Sequence, residues 1–243
     1  MVPVPRTGRV FERDRRVRFG DVSPGGRGRF DALAGYVQDV AGDDTADAAL
    51  PDESAWVVRR SVFEVSVPAA FRELLTLQTF CSGVGGRWAE RRVVMRGDRG
   101  AVIDSCSLWV RIDAETGRPR PLSELFLATY GEAAGGRRVS ARLQHDTHPP
   151  SDADTAPWAL RFSDFDLLGH VNNAASWAIV EESVAAAPGV RPPYRATLEF
   201  REPIERGASI VVSRTVTADA ARLWVNDSRT GANHLSAVVG PLS

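Results

Sequence analysis

Two segments 143 positions apart constrain this chain more than any other feature. Arg18-Phe19-Gly20-Asp21 and Arg161-Phe162-Ser163-Asp164 share the pattern R-F-x-D, and a helix-like segment follows each. A second pair of landmarks lies further on. SVFEVSVPAAFRELLTL (61–77) and ATLEFREPIERGASIVV (196–212) align Glu64 with Glu199 and Pro68 with Pro203, at an offset of 135. Two landmarks in the same order at similar offsets read as a duplication. Two copies do not build a solenoid; they build a pseudo-dimer within one chain.

Each copy has the same grammar. The first carries a helix over Phe30 to Ala41, with Phe30, Leu33, Ala34, Val37 and Val40 at helical spacing. The second carries one from Asn173 to about Ala185, with Trp177, Val180 and Val184 on its apolar stripe and Asn172 or Asn173 as N-cap. Strands follow each helix: 56–67, 74–82, 88–96 and 101–112, then 195–202, 209–216, 222–226 and 234–239. Gly97-Asp98-Arg99-Gly100 is a hairpin turn. Pro68 and Pro203 cannot donate to a ladder, so they belong at a bulge, an edge or a strand end. One amphipathic helix facing several strands makes the class α+β, with an antiparallel sheet wrapped around each helix. The expected organisation is a first module over residues 1–135, a Gly-, Ser-, Asp- and Pro-rich linker over 136–155 and a second module over 156–243. Asp43 to Ser54 reads as a polar loop, and His145 and His148 as solvated linker residues.

Composition narrows the function. Of 243 residues 43% are hydrophobic, enough for a packed core. A formal net charge of −1 gives no electrostatic case for nucleic acid or an anionic membrane. All 30 basic residues are Arg, which excludes a catalytic Lys and a Lys-based phosphate loop. Cys81 and Cys106 fit buried thiols in a reducing compartment. No apolar run approaches the roughly 20 residues that span a bilayer, and no signal-peptide core opens the chain, so the expectation is a cytoplasmic protein.

Chemistry gathers in the second copy. Asp166, His170, Asn172 and Asn173 lie within eight residues at the entrance to the second helix. A helix N-terminus presents free N–H groups that suit a developing oxyanion; a carboxylate can activate water, and an imidazole can move a proton. A purely structural account has equal standing: Asp166 closing a turn, His170 packed in a loop and the Asn pair capping a helix. Asp166 and His170 could supply two metal ligands, but no third stands out. Neither G-x-S-x-G nor a dinucleotide G-x-G-x-x-G is present.

The segment RFSDFDLLGHVNNA resembles the S-D-x-D-x-N-x-H-V-N-N element of acyl-acyl carrier protein thioesterases, built from tandem hot-dog modules. Trp56-Val-Val-Arg-Arg, Leu75-Thr-Leu-Gln-Thr-Phe-Cys-Ser-Gly and Ala89-Glu-Arg-Arg resemble that family's first module, so the likeness runs along nearly the whole chain. The resemblance implies a double hot-dog fold, hydrolysis of a fatty acyl thioester of acyl carrier protein or CoA, no cofactor and no metal. It implies catalytic roles for Asp166, His170 and a glutamate, for which Glu202 is the nearest match and Glu205 a rival. Backbone N–H groups of Val171, Asn172 and Asn173 are the expected oxyanion donors, and surface Arg residues of the first module the expected dock for an acidic carrier. Leu168 stands where the family has an Asn that helps hold water, and Pro203 stands where plant members have Cys. A non-catalytic acyl-binding protein and a hot-dog enoyl-thioester hydratase are the alternatives. A tandem fusion supplies a hot-dog pair in one chain, so the expected state is a monomer or a homodimer.

Overall fold

The duplication is visible at one residue pair. In a computed structural model, which describes residues 1–50 and 55–242, Val62 lies opposite Thr197 in an antiparallel ladder. Thr197 is 135 positions beyond Val62, so the pseudo-twofold axis relating the copies passes between a residue and its own counterpart. The same symmetry places Arg60 against Glu199 and Glu64 against Arg195.

The elements run β1 (Phe11–Arg16), α1 (Phe30–Asp47), β2 (Ala55–Val67), β3 (Leu74–Val84), β4 (Trp88–Gly97), β5 (Val102–Ile112) and α2 (Glu124–Tyr130). Then come β6 (Asp154–Trp158), α3 (Asn173–Ala185), β7 (Tyr194–Phe200), β8 (Ile210–Val216), β9 (Ala221–Asp227) and β10 (Asn233–Pro241). All ten strands form one antiparallel sheet in the order β1-β3-β4-β5-β2-β7-β10-β9-β8-β6. Pairing of β2 with β7 fuses the two half-sheets. The sheet wraps α1 and α3, which pack against each other, and one apolar core spans both copies. No described helix is long and apolar enough to cross a membrane.

Alternation sets the strands around the helices. Phe63 and Val65 on β2, and Ala196 and Leu198 on β7, point inward and are buried. On α1 the spaced Phe30, Leu33, Ala34, Val37 and Val40 are all buried, as the periodicity requires. Pro68 follows the last residue of β2, and Pro203 lies just past β7, where no ladder donor is needed.

Four features depart from the sequence expectation. First, α1 does not end at Ala41. It continues through Asp47, because cations absorb its acidic tail: Asp44 is buried and takes Arg9 Nε at 2.6 Å and an Arg91 guanidinium, while Arg15 meets Asp43 at 2.9 Å. Of the expected polar loop, residues 51–54 lie outside the described residues.

Second, β1 and β6 were not anticipated. Both are edge strands with little apolar alternation, FERDRR and DTAPW, and edges tolerate charge and proline. Asp154 is 143 positions beyond Phe11, so these strands obey the same repeat, and β6 starts inside the segment read as linker.

Third, α2 packs Phe126 and Tyr130 near Trp56. Fourth, the connector after it is pinned across the sheet. Trp88 Nε1 donates to the Val139 carbonyl at 2.8 Å, and the buried Glu199 carboxylate takes the Gln144 and His145 N–H groups at 2.8–3.0 Å. His145 is therefore half-buried instead of solvated; burial lowers its pKa despite nearby Glu199. His148 stays exposed, as expected.

Candidate active site

The loop leading into α3 is built on backbone geometry. Residues Phe162–Asp164 form one 3-10 turn, closed by the Asp164 carboxylate on the Arg161 N–H at 2.8 Å. A tight turn follows: Asp166 N–H donates to the His170 carbonyl at 2.8 Å and Gly169 N–H to the Asp166 carbonyl at 3.0 Å. Gly169 holds φ of +78°, a conformation open to glycine at little cost. Asp166 Oδ1 accepts the N–H groups of Leu168 at 2.9 Å and His170 at 3.3 Å. No partner is present on Oδ2 among the described residues. Asp166 and His170 are both half-buried.

Three N–H groups were candidates for an oxyanion hole, and the fold uses two of them. Val171 N–H donates to the Ile204 carbonyl at 2.9 Å and Asn172 N–H to the Asp164 carbonyl at 2.8 Å. Asn172 Oδ1 caps α3 by accepting the Ala174 N–H at 2.7 Å. Asn173, the first helical residue, keeps an N–H with no acceptor among the described residues. It points from the positive end of the helix.

The first copy repeats this backbone. Ser23 N–H donates to the Arg27 carbonyl at 2.8 Å, Gly26 N–H to the Ser23 carbonyl at 2.8 Å, and Gly26 holds φ of +82°. Gly28 N–H donates to the Ala69 carbonyl at 2.7 Å and Arg29 N–H to the Asp21 carbonyl at 2.9 Å. Every one of these bonds has its counterpart in the second copy, 143 residues later for the turn and 135 later for the acceptor pair Ala69 and Ile204.

The side chains differ, and they differ in a consistent direction. At the position of Asp166 stands Ser23; at that of His170 stands Arg27. The Arg27 guanidinium grips Glu181 of α3 at 2.6 and 3.2 Å, and Oε2, which takes the longer of these bonds, also accepts the Phe30 N–H at 3.1 Å. Phe30 is the counterpart of Asn173. The free helix N-terminus of the first copy is thus already occupied by a protein anion. Around it Phe30, Phe63, Trp177 and Tyr194 pack ring on ring, with centroids 4.9–5.9 Å apart.

In the second copy the counterparts of Phe30 and Trp177 are Asn173 and Ala34, which fill far less space. A small cleft opens there, between α1 and the start of α3. Its lining includes Ala34, Gln38, Ser61, Asn173, Trp177 and Phe200.

The remaining expected site residues separate. Leu168 is 79% exposed at the tip of the turn, so its side chain fills no internal water position. A backbone bridge pairs His170 with Glu205, not with Glu202. Glu202 is exposed beyond β7 and has no hydrogen bond or ion pair to Asp166 or His170 among the described residues. Cys81 and Cys106 sit on β3 and β5; burial pushes the Cys81 thiol up, away from a reactive thiolate. Among the described residues no three His, Cys, Asp or Glu side chains converge.

Comparison with known proteins gives the family. The family model for the acyl-ACP thioesterase N-terminal domain matches residues 8–130, and that for the acyl-ACP thioesterase C-terminal domain matches residues 147–237. The chain belongs to the acyl-ACP thioesterase family. It is therefore a thioester hydrolase acting on fatty acyl thioesters. An uncharacterized protein of Mycobacterium tuberculosis is 30% identical to this thioesterase over 224 residues, covering 92% of this chain and 89% of that one. The 12:0-ACP thioesterase from Umbellularia californica shares its fold with a TM-score of 0.78 at 21% identity, over 95% and 96% of the two chains. An acyl-ACP thioesterase from Bacteroides thetaiotaomicron does so with a TM-score of 0.79 at 16% identity, over 95% and 97%. The double hot-dog fold is thereby established.

Proposed function

We propose that this thioesterase hydrolyses fatty acyl-acyl carrier protein at a single site in its second module, with Asp166 and His170 as catalytic pair and the Asn173 N–H as oxyanion donor. The observation that carries this reading is the contrast between two copies of one backbone. One carries a carboxylate and an imidazole on the turn before its helix and leaves the Asn173 N–H unpaired at a small cleft; the other is closed by Arg27, Glu181 and four aromatic rings.

In the reaction a water attacks the thioester carbonyl while Asp166 Oδ2 takes its proton. The carbonyl π electrons move to oxygen, where the Asn173 N–H receives the negative charge. Collapse reforms the carbonyl and breaks the C–S bond. The carrier thiolate leaves and takes a proton delivered through His170, giving fatty acid and thiol. Thioesters lack strong amide-type resonance, so positioning and one well-placed donor supply much of the acceleration. In this reading the glutamate that orients the imidazole is Glu205, whose backbone pairs with that of His170, and not Glu202.

The first module contributes Val37, Val58 and Trp109 to the cleft as walls for the acyl chain. For the carrier's acidic surface the second module adds the exposed Arg161 and Arg206 to the surface Arg residues of the first; Arg206 lies over the Phe162 and Phe165 rings at 5.3 and 5.6 Å. Two free thiols and no disulfide suit the cytoplasm.

Release of free thiol from matched panels of acyl-carrier-protein and acyl-CoA thioesters tests the reading. Higher kcat/KM on carrier-protein thioesters of one chain length is expected. A uniform preference for CoA would overturn the carrier assignment, and absence of thiol release from every substrate would overturn the hydrolytic one.

A further inference from the structure

We infer that Gln38, on the helix of the first module, is the second oxyanion donor of the site in the second module. Gln38 is the ninth residue of α1, and Glu181 is the ninth residue of α3. The two are 143 positions apart and so are counterparts under the pseudo-twofold axis. At the closed copy the relation is explicit: Glu181 reaches across from the other helix and accepts the first helical N–H, that of Phe30, at 3.1 Å. At the open copy the same geometry brings the Gln38 carboxamide to the cleft it lines together with Asn173. Gln38 is half-buried and has no hydrogen-bond partner among the described residues, and neither has the Asn173 N–H. Two unpaired polar groups from different modules thus face one small cleft.

The chemical difference between the counterparts points to the role. Glu181 carries a negative charge and cancels the helix N-terminus and Arg27. A carboxylate at position 38 would occupy the place where negative charge must develop. A neutral carboxamide leaves that place open and offers an N–H of its own. Gln38 Nε2 and the Asn173 N–H then bind the carbonyl oxygen from two directions, and both bonds strengthen as charge gathers on it. The second module alone has one donor; the first completes the hole. This rests on the thioester carbonyl lying at Asn173, as proposed above.

The test has two arms. In turnover assays Gln38→Ala should lower kcat on the order of 100-fold with KM changed less than about threefold, the magnitude seen when an oxyanion donor is removed. Gln38→Glu should lower kcat further. Thermal unfolding of both variants identifies any loss due to misfolding. The second arm needs no turnover: affinity is measured for acyl-pantetheine analogues with a ketone, or only a methylene, in place of the thioester carbonyl. Wild type should prefer the ketone, and folded Gln38→Ala should lose about tenfold of that preference. Wild-type kcat in folded Gln38→Ala, or an unchanged ketone preference, would overturn the inference while leaving the hydrolytic site in place. Failure of wild type to cleave any thioester would instead count against the site itself, and the ketone arm would still decide the place of Gln38.

Discussion

Leu168 shows how far a single residue can be read from sequence. As a letter it interrupts the family pattern between Asp166 and His170 and removes a water ligand. In the structure its N–H serves Asp166 at 2.9 Å while its side chain faces solvent. The backbone part of the position, which any residue supplies, is what this turn uses. Leu168→Asn is therefore expected to change kcat by less than about twofold and stability by less than about 0.5 kcal/mol, as for other exposed substitutions. Steady-state kinetics and a thermal melt check both; a tenfold rise in kcat would show that the site lacks a water ligand that Asn supplies. The turn and helix start that carry Asp166, His170 and Asn173 were legible because these residues crowd one segment and echo a repeat. The pairing of Val171 and Asn172 N–H groups was not, since the Ile204 and Asp164 carbonyls that take them are fixed by tertiary geometry. Gln38 was invisible for the same reason: it is one polar residue on an otherwise ordinary helix, and only the fold brings it to Asn173.

At the scale of elements, strands with alternating burial were legible almost to the residue, as were α3 and the start of α1. What escaped were elements whose stability comes from elsewhere. The last turns of α1 persist because Arg9, Arg15 and Arg91 neutralise a run of acids. The edge strands are charged because edges meet water. Two ion pairs at this scale carry testable consequences. Glu181 ties α3 to α1 through Arg27 and the Phe30 N–H in a buried setting. Glu181→Ala leaves a guanidinium and an N–H without their partner, so unfolding free energy should fall by about 3 kcal/mol in urea titration. An unchanged midpoint would show that solvent replaces the carboxylate at no cost. Glu90 anchors the connector. Burial pushes its carboxyl up, but the Arg137 guanidinium and the Ser82 hydroxyl at 2.8 Å outweigh burial and hold it below the usual range. A folded-state pKa below the unfolded value of about 4.3 means this contribution is complete above that pH and is lost as pH falls through the folded value. Glu90→Gln should therefore flatten the dependence of Tm on pH below about 4.5 and lower Tm at pH 7. Parallel wild-type and variant curves in acid would contradict the assignment.

For the whole molecule, duplication explains both symmetry and its breakage. One backbone is used twice, and the pseudo-twofold axis through Val62 and Thr197 fuses the halves into one sheet. The sequence showed that only one copy carries the acid and the imidazole, because Ser23 and Arg27 stand at their counterpart positions. It did not show that the other copy is filled, since Phe30, Phe63, Trp177 and Tyr194 come from four elements and meet only in the folded core. In the proposed reaction the first module is wall and partner to a site whose catalytic pair lies in the second. The most direct measurement is the rate of thiol release from an acyl-carrier-protein substrate by Asp166→Ala and Ser23→Ala, two substitutions at counterpart positions of one backbone. Asp166→Ala should lose about 10²–10⁴-fold in kcat, the range for a missing general base, while Ser23→Ala stays within about twofold of wild type. Equal effects of the two, or near wild-type turnover by folded Asp166→Ala, would contradict a single site in the second module.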